Sequence, residues 1–512
     1  MSSTLFAGGL VRTLDGDGVA DWVLVEDRVI VGTGPRDDLP DADRIIYLDG
    51  MTLVPAFCDG HVHLPATGLY EAGLDFRGEA SAATILDAYR GRAEKGPWMI
   101  FGGNFEDPLD RPLSRRDLDA AVGERHALLA RADMHSCIVS TTLLRELDVS
   151  GLEGVDVVDG VPTGYLREKA AATAWRWFDA NLPRDQAKDA IKAAVRRAYS
   201  KGVGSVNEMH VVEWRGWESL HVLRDVAREV ALDIRPCVAI ADVAAIRELD
   251  LPRIGGDWFL DGSFGSHTAW LTEPYDPPPP PGSPPAGIAY RTDREVLEFF
   301  TAAQTAGLQA GVHAIGDAAI EQAIAAWEAV ANRAGVEAVR APRHRIEHFE
   351  CASDDHIARA AHLGLAASVQ PAFDHYWGGE DGLYARRMGW ERASTMNRFK
   401  SMIDAGLVVG AGSDSTVTPL DPFLQMASLR AHHLPSERID GVTALRLHTA
   451  GSQALTCSEQ ELGTLAPGMG ADMALLDRDP VESDVDSLLA SEVAGTWVGG
   501  VRVWPPEAAE GE

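Results

Sequence analysis

A regular alternation of strand-like and helix-like segments restricts the fold of this chain more than any other feature of its sequence. Short apolar runs are separated by Ala-rich stretches with apolar residues at helical spacing, such as residues 185–202 and 318–335. The predicted strands lie in residues 52–63, 203–208, 230–240, 256–262, 308–317, 344–350, 363–371 and 407–414. These eight strand–helix units predict an α/β fold built on a (β/α)₈ TIM-like barrel.

The two ends of the chain differ from this middle, because both alternate short apolar runs with Gly and Asp turn residues. Strands from opposite ends can pair when the termini of a domain lie close together. The predicted domains are a flanking β-sandwich built from both termini (1–54 and 456–512), the barrel (55–63 and 186–455) and an inserted subdomain (64–185). The Pro-rich residues 273–287 predict a stiff extended loop, either a surface connection or a lid over the active site.

Composition and charge narrow the range of partners. The net charge of −31 repels phosphate groups, so nucleic acid is not an expected partner and a small-molecule substrate is. The N-terminus has no basic segment before its apolar residues, and the apolar runs are shorter than a membrane span. We therefore expect a cytoplasmic protein without membrane contact. A homodimer is expected only because closed symmetric dimers are the commonest oligomers.

Histidines and one aspartate follow the predicted barrel strands. His61 and His63 end the first strand, and side chains two residues apart in a strand face the same side. His313, His348 and Asp414 close later strands, and the carboxyl ends of barrel strands form one face, where active sites lie. Each histidine alone could be a hydrogen-bonded core residue. Together, imidazoles and a carboxylate predict a divalent metal, with zinc favoured over iron, manganese or nickel.

Several motifs, in this order along nearly the whole chain, resemble those of the amidohydrolase superfamily of metal-dependent hydrolases. They are PAFCDGHVH (55–63), LDGSFGSHTAW (260–270), HAIGDAA (313–319), RIEH (345–348), SVQP (368–371), GSD (412–414) and GTLAPGMGADMALLD (463–477). Two further segments, LLARADMHSCIVSTTLL (128–144) and PTGYLREKA (162–170), are similar to a branch that contains N-substituted formamide deformylase. The resemblance implies a metal-centred barrel, a flanking β-sandwich and hydrolysis of C–N or similar bonds.

The resemblance also implies roles for the five residues at the strand ends. His61 and His63 match the ligands of the first strand, and His313 and His348 match those of the fifth and sixth strands. Asp414 matches the carboxylate of the eighth strand, which contacts both metal and water. We expect Asp414 to carry the proton between water and the leaving nitrogen, and His348 to take part in catalysis as a ligand.

The fourth strand departs from the family pattern. Many binuclear relatives carry a carboxylated lysine there that bridges two ions, whereas residues 256–262 contain Asp257 and no lysine. Because no lysine lies between Lys201 and Lys400, a lysine bridge from this strand is excluded. Glu168, or its neighbour Lys169, is the predicted substitute, with an exposed acid at a helix start as the alternative interpretation of Glu168. Without a substitute the site is mononuclear, so one or two ions are expected.

Further residues in the motifs and nearby loops are predicted to bind substrate. They are His135, Asp261, His267, Trp270, Asp317 and Phe373. Asp261 could instead cap a turn, Trp270 could be packing and His135 could be structural. Asp317 could also orient His313. His267 stands where relatives often carry arginine, which leaves the substrate class open.

The predicted function is metal-dependent hydrolysis of an amide, formamide or carbamate-like C–N bond in a small organic substrate. One alternative is a deaminase that acts on a cyclic amidine or nucleobase-like ring, which a mononuclear site would favour. The other is a catalytically silent binding protein on the same fold. The presence of all five expected ligands argues against the silent protein.

Overall fold

The computed structural model describes residues 3–16, 18–105, 109–131, 136–152, 154–279 and 283–506. The chain divides into two compact units. Unit 1 consists of Met1–His63, Ala198–Val211 and Ala231–Glu512, and unit 2 consists of Leu64–Arg197 and Val212–Val230. Among the described residues, no helix is both long and apolar enough to cross a membrane.

The strands are numbered in chain order. They are β1 (Ser3–Arg12), β2 (Val19–Glu26), β3 (Val29–Gly34), β4 (Arg44–Tyr47), β5 (Thr52–Pro55), β6 (Phe57–Val62), β7 (Leu74–Asp75), β8 (Met99–Phe105), β9 (His126–Arg131), β10 (Ser136–Val139), β11 (Val155–Val158), β12 (Val161–Arg167), β13 (Val203–His210), β14 (Asp233–Val238), β15 (Arg253–Ile254), β16 (Gln309–Ala314), β17 (Arg345–His348), β18 (Ala366–Val369), β19 (Val408–Ala411), β20 (Met473–Leu476), β21 (Val493–Val498) and β22 (Val501–Trp504).

The α-helices are numbered in the same way, and two short 3₁₀ turns lie at Arg36–Asp38 and Pro435–Glu437. The helices are α1 (Leu64–Ala72), α2 (Ala82–Glu94), α3 (Arg115–Val122), α4 (Thr141–Glu146), α5 (Glu168–Asn181), α6 (Arg184–Ser200), α7 (Val212–Glu229), α8 (Val243–Glu248), α9 (Asp293–Ala306), α10 (Asp317–Ala334), α11 (Val336–Arg340), α12 (Asp354–Leu363), α13 (Pro371–Trp377), α14 (Leu383–Met388), α15 (Trp390–Ala393), α16 (Phe399–Asp404), α17 (Pro422–Arg430), α18 (Gly441–Leu447), α19 (Ala450–Ala454) and α20 (Val485–Leu489).

Unit 1 contains the barrel. Its parallel sheet has eight strands in the order β6, β13, β14, β15, β16, β17, β18, β19. A parallel bridge between Val62 and Ser415 joins the end of β6 to the residues after β19, so the first and last strands meet. Every residue of β6, β16 and β17 is buried, as expected for parallel strands covered on both faces. The predicted (β/α)₈ barrel is therefore confirmed.

Helix α9 illustrates how the sequence determines the bounds and the buried face of a helix around the barrel. In α9 the Thr292 side chain and the Glu295 side chain cap each other's backbone, and Gly307 ends the helix in the left-handed conformation at φ 70°. The buried face of α9 carries apolar residues at helical spacing, including Phe300, whose ring stacks on Trp327 of α10 at 4.0 Å. Burying one such side chain contributes about 2 kcal/mol.

The fourth barrel strand differs from its predicted position. Residues 256–262 were expected to form it, but the paired residues are those of β15, and only Phe259 makes a later bridge, to His313. The glycine pair after β15 explains the break, since Gly255 has φ 88° and a Cβ there would lie 2.0 Å from the carbonyl oxygen of Gly311. The chain therefore leaves the regular strand just before Asp257, which frees that side chain to turn towards the barrel axis.

Both ends of the chain contribute to a second sheet of unit 1. This eight-stranded sheet has the order β22, β21, β20, β5, β1, β2, β3, with β4 paired to β1. Side chains from the two ends share one core, in which the ring of Phe6 meets that of Trp497 edge to face at 5.2 Å. The flanking sheet thus has strands from both termini, as the sequence predicted.

Unit 2 contains all of residues 64–185 and has its own six-stranded sheet, in the order β11, β12, β10, β9, β8, β7. Two apolar clusters lie on this sheet. One contains Phe101, Leu128 and Phe178, and the other contains Tyr89, Phe105 and Leu129. Because Leu128 and Leu129 are neighbours on β9, the clusters lie on opposite faces of the sheet.

Candidate metal centre

Four histidines and two aspartates of unit 1 meet at the carboxyl ends of the barrel strands. His61 lies in β6, His63 follows it directly, His313 lies in β16 and His348 ends β17. Asp414 comes three residues after the end of β19. The sixth member is Asp257, which follows β15; it lies in the stretch that lacks the lysine, but the sequence predicted Glu168 or Lys169 as the substitute. All six side chains are largely or fully buried.

Asp257 lies between the histidines, with one carboxylate oxygen directed at each pair. Its Oδ2 is 3.4 Å from Nε2 of His61 and 3.1 Å from Nε2 of His63. Its Oδ1 is 3.5 Å from Nδ1 of His313 and 3.6 Å from Nε2 of His348. The carboxylate therefore divides the centre into two clusters of potential ligand atoms.

Asp414 completes the first cluster. Its Oδ1 lies 3.4 Å from Nε2 of His61 and 3.2 Å from Nε2 of His63. For zinc with ligands at about 2.0–2.2 Å, neighbouring ligand atoms of a tetrahedron lie about 3.4 Å apart. The observed separations match that value, and the ligand atoms of His61, His63 and Asp414 all lie within 4.8 Å of one another, so these three residues could hold one tetrahedral ion, with Oδ2 of Asp257 facing the two histidines.

Buried atoms without a hydrogen-bond partner provide an independent test of this interpretation. Within the described part of the chain, five such atoms belong to the centre: Nε2 of His61, Nδ1 of His313, Nε2 of His348, Oδ1 of Asp257 and Oδ1 of Asp414. Buried polar atoms are almost always paired, and leaving one unpaired costs about 1–3 kcal/mol. Five unpaired atoms that face the same small space are expected of a set of metal ligands, so these residues fit a bound divalent ion.

Hydrogen bonds on the far side of each ring fix which nitrogen faces the centre. Nδ1–H of His63 donates to the carbonyl oxygen of Met209 at 2.8 Å, and Nδ1–H of His348 donates to Oε1 of Gln370 at 2.8 Å. In both rings Nε2 is then the atom left for an ion. His313 is turned the other way, because its Nε2 faces the carbonyl oxygen of Gly262 at 3.4 Å and Nδ1 faces the centre.

His61 has a charged partner instead of a neutral one. Its Nδ1–H donates to Oε2 of Glu347 at 2.9 Å, and Glu347 is held by the guanidinium of Arg345. Burial alone would raise the pKa of Glu347, but Arg345 and His61 lower it to about 2. Glu347 is therefore ionised at neutral pH although it is fully buried.

The two aspartates of the centre are ionised as well. Burial alone would raise the pKa of Asp414, but the histidines beside it hold that pKa well below its usual range, and the same is true of Asp257. Conversely, burial would lower the pKa of His63, but Asp257 and Asp414 raise it to about 10. Without an ion, protons on His61 and His63 balance the two carboxylates, so an ion must displace protons to bind.

Two ligand positions have a strained backbone. His348 has φ 72° and Asp414 has φ 51°, both in the left-handed region that residues other than glycine seldom adopt. The barrel seam fixes Asp414, since its backbone N–H donates to the carbonyl oxygen of His61 at 2.8 Å. Strained residues of this kind are common at functional sites.

The seam next to Asp414 is closely packed. Both the backbone N–H and the hydroxyl of Ser413 donate to the buried carboxylate of Asp59, at 3.0 and 2.6 Å. A Cβ on Gly412 would lie 2.3 Å from the backbone nitrogen of His61. Only glycine fits where the segment that carries Asp414 passes the segment that carries His61.

The residues predicted to bind substrate occupy different environments. The ring of Phe373 lies parallel to that of His348, with an interplanar angle of 9° and centroids 6.0 Å apart. His267 has φ 56°, and its ring meets Tyr275 edge to face at 5.1 Å. The ring of Trp270 is partly buried, and its backbone nitrogen bonds to Asp261. Phe373 thus contacts a ligand ring of the centre directly.

The other predicted contacts serve the backbone or lie outside the described residues. Asp261 accepts the backbone N–H groups of Trp270, Ile315 and Gly316 at 2.8–3.0 Å, which favours the alternative interpretation of a turn cap. Asp317 accepts the N–H of Thr272 at 3.0 Å, and no bond to His313 is seen among the described contacts. His135 and the side chain of Glu168 lie outside the described residues.

The base of the Pro-rich loop is fixed by hydrogen bonds. The guanidinium of Arg392 donates to the carbonyl oxygens of Pro274 and Glu273 at 2.8 and 3.1 Å. The N–H of Tyr275 donates to the carbonyl oxygen of Pro285 at 2.9 Å, which joins the two arms of the loop.

Another cluster of metal-binding residue types, Asp374, His432 and His433, has a different explanation. Nδ1–H of His433 and its backbone N–H both donate to Asp374. Nε2–H of His432 donates to the carbonyl oxygen of Asn397 at 2.9 Å, and its Nδ1 accepts the N–H of Leu434 at 3.1 Å. Both nitrogens of His432 are therefore used, and these hydrogen bonds anchor α13.

The sequence prediction overlooked three residues of the centre. Asp257, Glu347 and Gln370 each bond or face a ligand histidine. One signal for Asp257 was available, because it is a carboxylate in the stretch where relatives carry the bridging lysine. The roles of Glu347 and Gln370 depend on how neighbouring strands turn into the barrel, and the linear sequence contains no comparable signal for them.

Comparison with known proteins identifies the family. The sequence profile of the amidohydrolase family matches residues 44–504. The chain belongs to the amidohydrolase family. The amidohydrolase YtcJ of Bacillus subtilis is 28% identical, and the alignment covers 98% of this chain and 99% of YtcJ. N-substituted formamide deformylase of Arthrobacter pascens is 23% identical, with 98% of both chains covered.

A solved structure agrees with this placement among the amidohydrolases. A metal-dependent hydrolase from Pyrococcus furiosus superposes with a TM-score of 0.79 at 27% identity, covering 94% of this chain and 100% of that one. The family and this neighbour make the protein an enzyme that hydrolyses C–N bonds of a small-molecule substrate with a divalent metal.

Proposed function

We propose that this amidohydrolase cleaves an amide, formamide or carbamate-like bond at a centre where Asp257 and the histidines on either side of it would hold two divalent ions. The observation that carries the proposal is the position of the Asp257 carboxylate, with each oxygen 3.1–3.6 Å from a different pair of histidine nitrogens. A bridging carboxylate needs this arrangement, and a mononuclear site does not.

The two proposed ion positions differ in the number of protein ligands. Position A is formed by His61, His63, Asp414 and Oδ2 of Asp257, and position B by His313, His348 and Oδ1 of Asp257. A site with three protein ligands leaves a place for water or substrate, as catalytic zinc sites do. We propose zinc because imidazole and carboxylate ligands in tetrahedral spacing suit it.

The proposed chemistry divides between the ions and the residues around them. When bound, the ions would lower the pKa of water towards neutrality and polarise the substrate carbonyl. Asp414 is ionised, because its histidine neighbours hold its pKa low, so it can accept the proton of the attacking water. It then donates that proton to the leaving nitrogen. The hydrogen bonds on the far side of the four rings hold the imidazoles in place while the charge shifts.

The proposed substrate is an N-substituted amide or formamide. Supporting this class are the likeness to N-substituted formamide deformylase over nearly the full length of both chains and the aromatic ring of Phe373 beside His348. An apolar substituent could lie against that ring. The principal test is a screen of N-formyl, N-acyl and carbamate compounds that measures both the acid and the amine product. Release of ammonia from ring compounds without a carboxylic acid would indicate a deaminase instead.

The ion count is tested separately from the substrate. We expect two equivalents of metal per chain by elemental analysis, and two peaks on either side of Asp257 in anomalous maps at the metal absorption edge. Asp257→Asn should bind one equivalent, because the amide has a single oxygen to offer. Asp374→Asn is the matched control, since Asp374 bonds to His433 and offers no atom to the centre. A wild-type content of one ion per chain would contradict the bridge.

A further inference from the structure

The four ligand histidines do not have equivalent partners. His63, His348 and His313 face neutral oxygens, those of Met209, Gln370 and Gly262. Only His61, among these four rings, donates to a carboxylate, that of Glu347 at 2.9 Å. The difference lies on the side of each ring that points away from the ions.

The Glu347 carboxylate is fixed on both of its oxygens. Nε of Arg345 donates to Oε1 at 2.8 Å, and Nη2 donates to Oε2 at 2.9 Å. The two residues lie two apart on β17, so both side chains face the interior of the barrel. Their side chains are 1% and 0% exposed, and that of His61 is 0% exposed. Arg345, Glu347 and His61 are therefore all shielded from water.

Arg345 also connects this pair to the strand that carries the ligand. Its Nη2 donates to the carbonyl oxygen of Gly60 at 2.8 Å, one residue before His61. The hydroxyl of Ser368 and the amide of Asn207 reach the same oxygen at 3.3 Å. The backbone of His61 and the far nitrogen of its ring are thus held by one buried ion pair.

We propose that Glu347 and Arg345 are positioning residues that strengthen His61 as a ligand and make position A bind its ion more tightly than position B. The proposal rests on the two-position centre described under Proposed function. A carboxylate acceptor makes an imidazole ligand more basic than a neutral acceptor does, and loss of such a partner lowers metal affinity about 10–100-fold. Behind the two rings of position B, the acceptors within hydrogen-bond distance are the neutral oxygens of Gln370 and Gly262, and the carboxylate of Asp261 lies farther away, 3.8 Å from Nε2 of His313.

The test measures metal binding by the full-length, metal-stripped protein, and does not depend on a substrate. Zn²⁺ is titrated against a chromophoric chelator, and Co²⁺ absorption follows the order in which the positions fill. Glu347→Gln should weaken the tighter step about 10–100-fold and change the weaker step less than about threefold. Gln370→Met is the matched variant for position B and should weaken only the second step.

A second variant distinguishes a loss of metal affinity from a failure to fold. Glu347→Gln leaves the Arg345 charge buried without a counter-charge, which destabilises proteins strongly, whereas neutralising both partners often does not. The double variant Arg345→Met/Glu347→Gln, checked by circular dichroism, should therefore fold and show the same weakening of the tighter step. Failure of both variants to fold would mean that the pair holds the barrel rather than the ligand, and would overturn the proposal.

The outcomes also separate this proposal from the proposed function. If the wild-type protein binds only one ion, the two-ion centre is wrong, and the effect of Glu347→Gln on that single step still decides whether Glu347 strengthens His61. If two ions bind and Glu347→Gln weakens both steps equally or neither, the centre stands and the positioning role is refuted.

Discussion

Replacing Asp414 by asparagine tests the proton-transfer role with little change in shape. The amide keeps one oxygen where Oδ1 of Asp414 faces the nitrogens of His61 and His63 at 3.4 and 3.2 Å. Asparagine also tolerates the φ of 51° at this position better than most residues do. The variant should therefore fold and keep most of its metal, but its side chain can no longer accept a proton.

The expected loss of activity follows from the surroundings of Asp414. General acid–base groups contribute about 10²–10⁴-fold to rate, or about 3–5 kcal/mol. Asp257 is the other carboxylate of the centre, and both of its oxygens face histidine nitrogens, so it is poorly placed to act as a substitute. We therefore expect kcat to fall by the upper part of that range, about 10³–10⁴-fold.

The assay compares kcat of the metal-loaded variant with that of the wild type on the best substrate from the screen, with metal content measured on the same samples. Asp374→Asn controls for loss of a buried carboxylate outside the centre and should keep kcat within about tenfold. A metal-replete Asp414→Asn protein with kcat within threefold of wild type would refute Asp414 as the proton carrier.

Three other predictions concern the same unit. Gly412→Ala should abolish metal binding and lower the melting temperature, because its Cβ would lie 2.3 Å from the backbone nitrogen of His61; a normal zinc titration by this variant would contradict the packing argument. Zinc uptake at pH 8 in weak buffer should release about two protons per first ion, because Asp257 and Asp414 hold the pKa of His61 well above its usual value and raise that of His63 to about 10. Apparent affinity should fall as pH falls, because the protons then compete with zinc. Burial lowers the pKa of His344 from 6.5 to about 3. The folded protein therefore has its full stability with respect to this group above pH 6.5, and the free energy of unfolding decreases as pH falls from 6.5 towards 3. In that window His344→Asn should reduce the pH slope of the unfolding free energy by about 1.4 kcal/mol per pH unit, and an unchanged slope in denaturant titrations would show that His344 is already charged.

The sequence pattern predicts some residues of the metal centre and not others. Histidines at strand ends were predictable, because strand periodicity and barrel geometry together determine where their side chains meet. The position of Asp257 was not, since Gly255 breaks the fourth strand and the chain turns the carboxylate inwards by an irregular path. Asp261 and Asp317 were predicted near the substrate, yet their oxygens accept backbone N–H groups. Whether a loop carboxylate serves a ligand or a turn depends on neighbours that are distant in sequence.

The seam of the barrel has a consequence for the order in which the protein matures. Asp59 and Ser413 meet there although 354 residues separate them, and the bond from Asp414 to the carbonyl oxygen of His61 crosses the same seam. During synthesis, His61 and His63 therefore leave the ribosome long before Asp414 does. Selective capture of an ion by the complete set of ligands therefore has to wait until Asp414, the last of them in the sequence, has been added to the chain.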